Sequence, residues 1–70
     1  MTWIDTPESS NILRFKHNET TNTLNVEFKN GAEYEYFDVP RSLFDQMTNA
    51  PSKGQFLAQN IKGRYRYARV

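Results

Sequence analysis

Apolar and polar residues alternate one by one over two stretches of this chain. From Thr23 to Lys29, Leu24, Val26 and Phe28 share one face, and Asn25 and Glu27 share the other. That is the period of a half-buried strand. Ala32 to Phe37 repeats it, with Ala32, Tyr34 and Tyr36 set against Glu33, Glu35 and Phe37. Asn11 to His17 alternates as well, Leu13, Phe15 and His17 against Arg14 and Lys16, before the polar turn cluster from Asn18 to Asn22. The period then becomes helical: Val39, Leu43 and Met47 recur every four residues with Phe44 beside them. Pro40 is placed at the first helical position, and Asn49 and Pro51 stop the helix. Ser52-Lys53-Gly54-Gln55 reads as a capping box for a second short helix. Phe56 or Leu57, with Ile61, would face inward there, and Gly63 would end it. Arg64 to Val70 alternates again, either as a fourth strand or as an extended arm.

The turn between the two clear strands sets their register. A two-residue Asn30-Gly31 loop would pair Lys29 with Ala32 and bring Phe28 and Val26 beside Glu33 and Glu35. A three-residue loop, Lys29-Asn30-Gly31, pairs Phe28 with Ala32, Val26 with Tyr34 and Leu24 with Tyr36. Every apolar group then lies on one face. A one-residue slip turns every side chain over, so burial selects the longer loop, a type I turn with Gly31 left-handed in a G1 bulge. The expected fold is α+β: a three-stranded antiparallel β-meander, with the C-terminal strand left open, and two short helices on one face. Residues 1–9 are expected to be a loose arm and residues 10–70 a single domain.

Length and composition narrow the picture. Seventy residues allow one domain, and a chain this short buries only about 60% of its unfolded surface. It has no cysteine, hence no disulfide and no thiolate nucleophile or metal ligand; a reducing cytoplasmic setting fits. No apolar run approaches the roughly 20 residues of a membrane span, and Met1 to Ser10 does not read as a signal peptide. The net charge of +1 hides an asymmetry. Residues 1–51 hold all eight acids against four cations, a net −4, whereas residues 52–70 hold five cations and no acid, a net +5. An anionic partner and pairing between the two ends of the chain both fit this division.

The order of signals adds a further reading. Ser10-Asn11-Ile12 precedes Leu24-x-Val26-x-Phe28-x-x-Gly31; then come Tyr34-x-Tyr36, Val39-Pro40, Ala50-Pro51-Ser52-Lys53-Gly54 and Ile61-Lys62-Gly63-Arg64-Tyr65. Over residues 9–70 this resembles the KTSC domain family, which is appended to the C-terminus of some lysyl-tRNA synthetases and also occurs as free-standing small proteins. The chain departs from the family pattern at His17-Asn18, Leu57 and Ala58. The resemblance implies a bacterial or phage protein of unestablished function, for which the synthetase connection suggests RNA binding by association.

Candidate chemistry is sparse. His17 is the lone histidine, so a zinc site within the chain is not expected. Ser52 is explained as a cap, Asp38 and Asp45 form no recognisable acid–base pair, and the three glycines mark turns and caps, not a phosphate loop. No enzyme activity, cofactor or metal is expected. Tyr34 and Tyr36 are read as core, because the register places them on the face the helices must cover. The other face mixes Arg14, Lys16, Glu27, Glu33 and Glu35 and is a poor phosphate platform, with Phe37 a lone exposed or edge-packed aromatic. The nucleic-acid candidates are therefore Lys53, Lys62, Arg64, Tyr65, Arg66, Tyr67 and Arg69. Their cations attract phosphate and their rings stack on unpaired bases; Lys53 stands where a helix begins. The competing reading is a last strand whose arginines pair with Glu27, Glu33 or Glu35. The partner is expected to be RNA or single-stranded DNA; the alternative is another protein taken up at a sheet edge.

Overall fold

Hairpin geometry dominates the computed structural model, which describes residues 3–70. One antiparallel sheet keeps its strands in sequence order: β1 (Ile4–Asp5), β2 (Ile12–Asn18), β3 (Thr23–Phe28), β4 (Glu33–Tyr36) and β5 (Tyr67–Arg69). The fold is α+β as expected, but with five strands. The C-terminal segment is a strand rather than an arm. The loose N-terminal arm is corrected at Ile4 and Asp5, which pair with Phe15 and Arg14; residues 1–2 lie outside the described residues. Thr6 anchors the following loop. Its buried hydroxyl donates to the Ile12 carbonyl at 2.7 Å and its amide to the Leu13 carbonyl at 3.1 Å.

The β3–β4 register follows the burial argument. Leu24 opposes Tyr36 and Val26 opposes Tyr34. The Phe28 amide donates to the Ala32 carbonyl at 2.8 Å, and the Gly31 amide to the Phe28 carbonyl at 3.0 Å. Gly31 sits at φ +93°, a conformation that glycine adopts without steric cost. On β2 the expected alternation fails. Ile12 opposes Phe28 while Arg14 opposes Glu27, so Leu13 is an extra residue in a bulge. Ile12 thus enters the core at 0% exposure with Phe15, and Leu13 is 43% exposed. The bulge reverses the inward assignment of Leu13.

Helix α1 (Arg41–Asn49) starts one residue later than expected. Pro40 is its N-cap, in extended geometry, and not its first helical residue. Helix α2 (Lys53–Phe56) is capped by the Ser52 hydroxyl, which accepts from the Gln55 amide at 3.3 Å. It runs on into a π-helical segment, Leu57–Ile61, closed by the Lys62 amide donating to the Leu57 carbonyl at 2.7 Å. Val39, Met47, Leu57 and Ile61 from this layer meet Ile12, Phe15, Leu24, Val26 and Tyr36 from the sheet in one buried cluster. His17, on β2, is buried between the sheet and that layer as well. Its Nε2 lies 2.7 Å from the Val39 carbonyl and its ring stacks on Phe44 at 5.3 Å between centroids. Among the described residues no helix is long and apolar enough to cross a membrane.

Candidate nucleic-acid interface

The cationic segment starts where the π-helical segment stops. The Arg64 and Tyr65 amides donate to the Ile61 carbonyl at 3.0 and 3.2 Å, and Gly63 turns the chain at φ +83°. Lys62, Gly63 and Arg64 are thereby exposed, while Tyr65 folds back half-buried against the core. The chain then joins the sheet as β5. The Phe37 amide donates to the Arg66 carbonyl at 2.9 Å and the Val70 amide to the Glu33 carbonyl at 2.9 Å. Antiparallel alternation then turns the backbone N–H and C=O groups of Tyr67 and Arg69 away from β4, along the free edge of the sheet.

Register decides which side chains share a face. Tyr67 opposes Tyr36 and Arg69 opposes Tyr34. Phe28, Tyr34 and Tyr67 form a chain of edge-to-face contacts, with centroids 5.8 and 5.7 Å apart, and Tyr67 reaches Tyr36 at 5.8 Å. Burial along this row is graded. Tyr36 is 3% exposed and Tyr67 is 61% exposed. The first tyrosine pair is therefore core at Tyr36 and half-buried at Tyr34, while Tyr67 presents a ring to solvent. Burial, followed by the neighbouring Tyr34 and Tyr67, pushes the Tyr36 hydroxyl above its ordinary range.

The arginines do not take the partners that a purely structural strand would give them. Glu27 accepts from Arg14 at 2.7 Å, and Glu33 and Glu35 each accept from the Asn25 amide group at 3.2 Å. Arg66 pairs with Asp38 at 3.3 Å, both side chains 80% exposed, and its guanidinium carbon stands 5.7 Å from the centre of the Phe37 ring. Among the described residues Lys62, Arg64 and Arg69 make no ion pair. Phe37, Gly63, Arg64, Tyr65, Arg66 and Tyr67 together line one open depression. Phe37 is the member that sequence reasoning set aside. It follows β4, and only the pairing of β5 beside it brings cations to its ring.

Lys53 stands apart from this group. It lies in a polar cleft between the Thr6–Asn11 loop and the start of α2, with no lining residue in common with the depression at Phe37. Its ammonium donates to the Ala50 carbonyl at 2.9 Å. Lys62 lines a third surface, with Lys29 and Tyr34. Six of the seven expected residues thus surround β5 and the turn before it, and Lys53 does not. Among the described residues no group of three histidine, aspartate or glutamate side chains is arranged to hold a metal ion.

Comparison with known proteins bears on the whole unit. The KTSC domain family matches residues 8–65. Lysine–tRNA ligases of Trichormus variabilis and Nostoc punctiforme are each 44% identical over 64 residues, which is 91% of this chain and 11% of theirs. The chain therefore spans about a tenth of the length of these curated relatives. A protein of Tsukamurella paurometabola is 36% identical over 59 residues, 84% of this chain and 88% of its own length. The crystal structure of a KTSC domain protein from Yersinia pestis superimposes with a TM-score of 0.90 at 27% identity, covering 99% of this chain and 96% of that one.

Proposed function

The chain belongs to the KTSC domain family, and on that premise we propose that it is a small non-enzymatic module that attaches to RNA with low sequence specificity through the surface around β5. The observation that carries this reading is the set of exposed cations with no ion-pair partner among the described residues, Lys62, Arg64 and Arg69, beside the exposed ring of Tyr67. Cations that a fold leaves unpaired are free to replace counterions on a phosphate chain. The similarity to proteins named lysine–tRNA ligase supports RNA as the polyanion. Single-stranded DNA offers the same phosphates and bases.

Phosphate contacts from Lys62, Arg64, Arg66 and Arg69 make binding salt-sensitive. Four such contacts to a single strand give a slope of about −3 in log K against log salt, hence roughly 50-fold weaker binding at 200 mM than at 50 mM salt. Fluorescence anisotropy of a labelled single-stranded RNA measures this. Affinity that holds constant over that range refutes the reading.

A second reading rests on the free edge of β5. The outward N–H and C=O groups of Tyr67 and Arg69 can take a further strand from a protein partner. A dimer in light scattering, with no oligonucleotide binding, favours that reading over the first.

A further inference from the structure

Arg66 occupies an unusual position for a phosphate-binding residue. In the free protein it is committed twice, to the Asp38 carboxylate at 3.3 Å and to the Phe37 ring at 5.7 Å. Both commitments are exposed and therefore weak. Asp38 is held at φ +60°, a left-handed position that aspartate and asparagine tolerate better than most residues. This turn sets the Asp38 carboxylate within reach of the same guanidinium that stands over the neighbouring ring of Phe37. Around that ring lie Arg64, Tyr65, Tyr67 and the bare backbone of Gly63, whose missing side chain would meet nothing within 4 Å. The depression is thus open, floored by aromatic carbon and rimmed by cations.

We propose that this depression takes an unpaired base of a single-stranded RNA, stacked on Phe37, once Arg66 exchanges Asp38 and the ring for a backbone phosphate. The inference rests on the RNA-binding reading above and adds the class of RNA and a latch. Stacking of a base on an aromatic side chain strengthens binding by about fivefold or more. An exposed cation on a phenylalanine ring gives about two- to fivefold. A base together with a phosphate therefore displaces the resting contacts, whereas a base inside a duplex has no free face to offer. Asp38 holds Arg66 back until RNA arrives.

The test uses the full chain and a labelled RNA of about a dozen mixed nucleotides, alone and annealed to its complement. The single strand is expected to bind at least about fivefold more tightly than the duplex, and Phe37→Leu to remove most of that preference. Asp38→Asn keeps the left-handed turn and removes the competing carboxylate, so affinity for the single strand should rise about two- to fivefold. Asp45→Asn, which removes the same charge from the partner of Arg41 on α1, is the control and should leave affinity within a factor of about 1.5 by the same reasoning. Equal binding of single strand and duplex, with Phe37→Leu silent, overturns the base platform and leaves phosphate attachment standing. Equal effects of Asp38→Asn and Asp45→Asn overturn the latch. Binding of neither RNA form overturns the reading on which both rest. Circular dichroism of each variant separates lost binding from lost folding, and Asp38→Asn tests the latch even if Phe37→Leu is unstable.

Discussion

Replacing Tyr36 by alanine separates a core residue from a ligand residue. The side chain is 3% exposed, faces Leu24 across β3 and Tyr67 across β5, and belongs to the cluster that includes Val39, Met47 and Ile61. Truncating a buried aromatic removes its transfer free energy and leaves a cavity, which together cost about 3–5 kcal/mol. At about 0.05–0.15 kcal/mol per residue, a 70-residue chain has ~4–10 kcal/mol in total. The substitution therefore takes a third or more of the stability. With a slope near the small end of the usual range, about 1 kcal/mol per M urea, the unfolding midpoint should fall by about 3–5 M. Trp3 supplies the signal. It is the single tryptophan, and its ring lies beneath Arg14 at 4.3 Å and Lys16 at 4.4 Å, away from the buried cluster. Its emission and far-ultraviolet circular dichroism should change together if unfolding is two-state. A midpoint that moves by less than about 0.5 M, combined with loss of RNA binding, would refute the assignment of Tyr36 to the core.

Two further outcomes follow from the geometry. Ile12→Ala should cost about 2–5 kcal/mol and Leu13→Ala less than about 1 kcal/mol, as read by urea denaturation, because the bulge sends Ile12 inward and Leu13 outward; the opposite order would contradict the bulge. The raised Tyr36 hydroxyl makes stability fall at alkaline pH. A tyrosine in the unfolded chain ionises first, near its ordinary value of about 10, so the contribution is intact below that pH and is lost as pH rises through the higher folded value. The decline measured by denaturation above pH 10 should be shallower in Tyr36→Phe than in the natural chain.

Sequence patterning carried the central hairpin because two signals agreed there: strict alternation on both strands, and a glycine where the turn needs a positive φ. The β2 assignment failed at one point for a physical reason. Asn11 to His17 alternates as well as β3 does, and a bulge leaves no mark in alternation. It is seen only when Ile12 is set opposite Phe28 and Arg14 opposite Glu27. β1 escaped notice because two residues are too short to show a period. The site was legible as charge and not as shape. The run from Lys62 to Arg69 announces its cations, yet Phe37 and Asp38 lie 28 or so positions earlier and join Arg66 only through the β4–β5 pairing. Lys53 shows the converse, a cation counted with the others by sequence position and separated from them by the fold.

The strand order has a consequence for how such a unit is mounted. β1 and β5 are the two outer strands of the sheet, and four strand spacings of about 4.8 Å put them ~19 Å apart. A polypeptide attached ahead of Ile4 joins at one rim, while the rings and cations of β5 lie along the opposite rim. To reach the β5 surface, a domain joined at that rim has to cross the full width of the sheet.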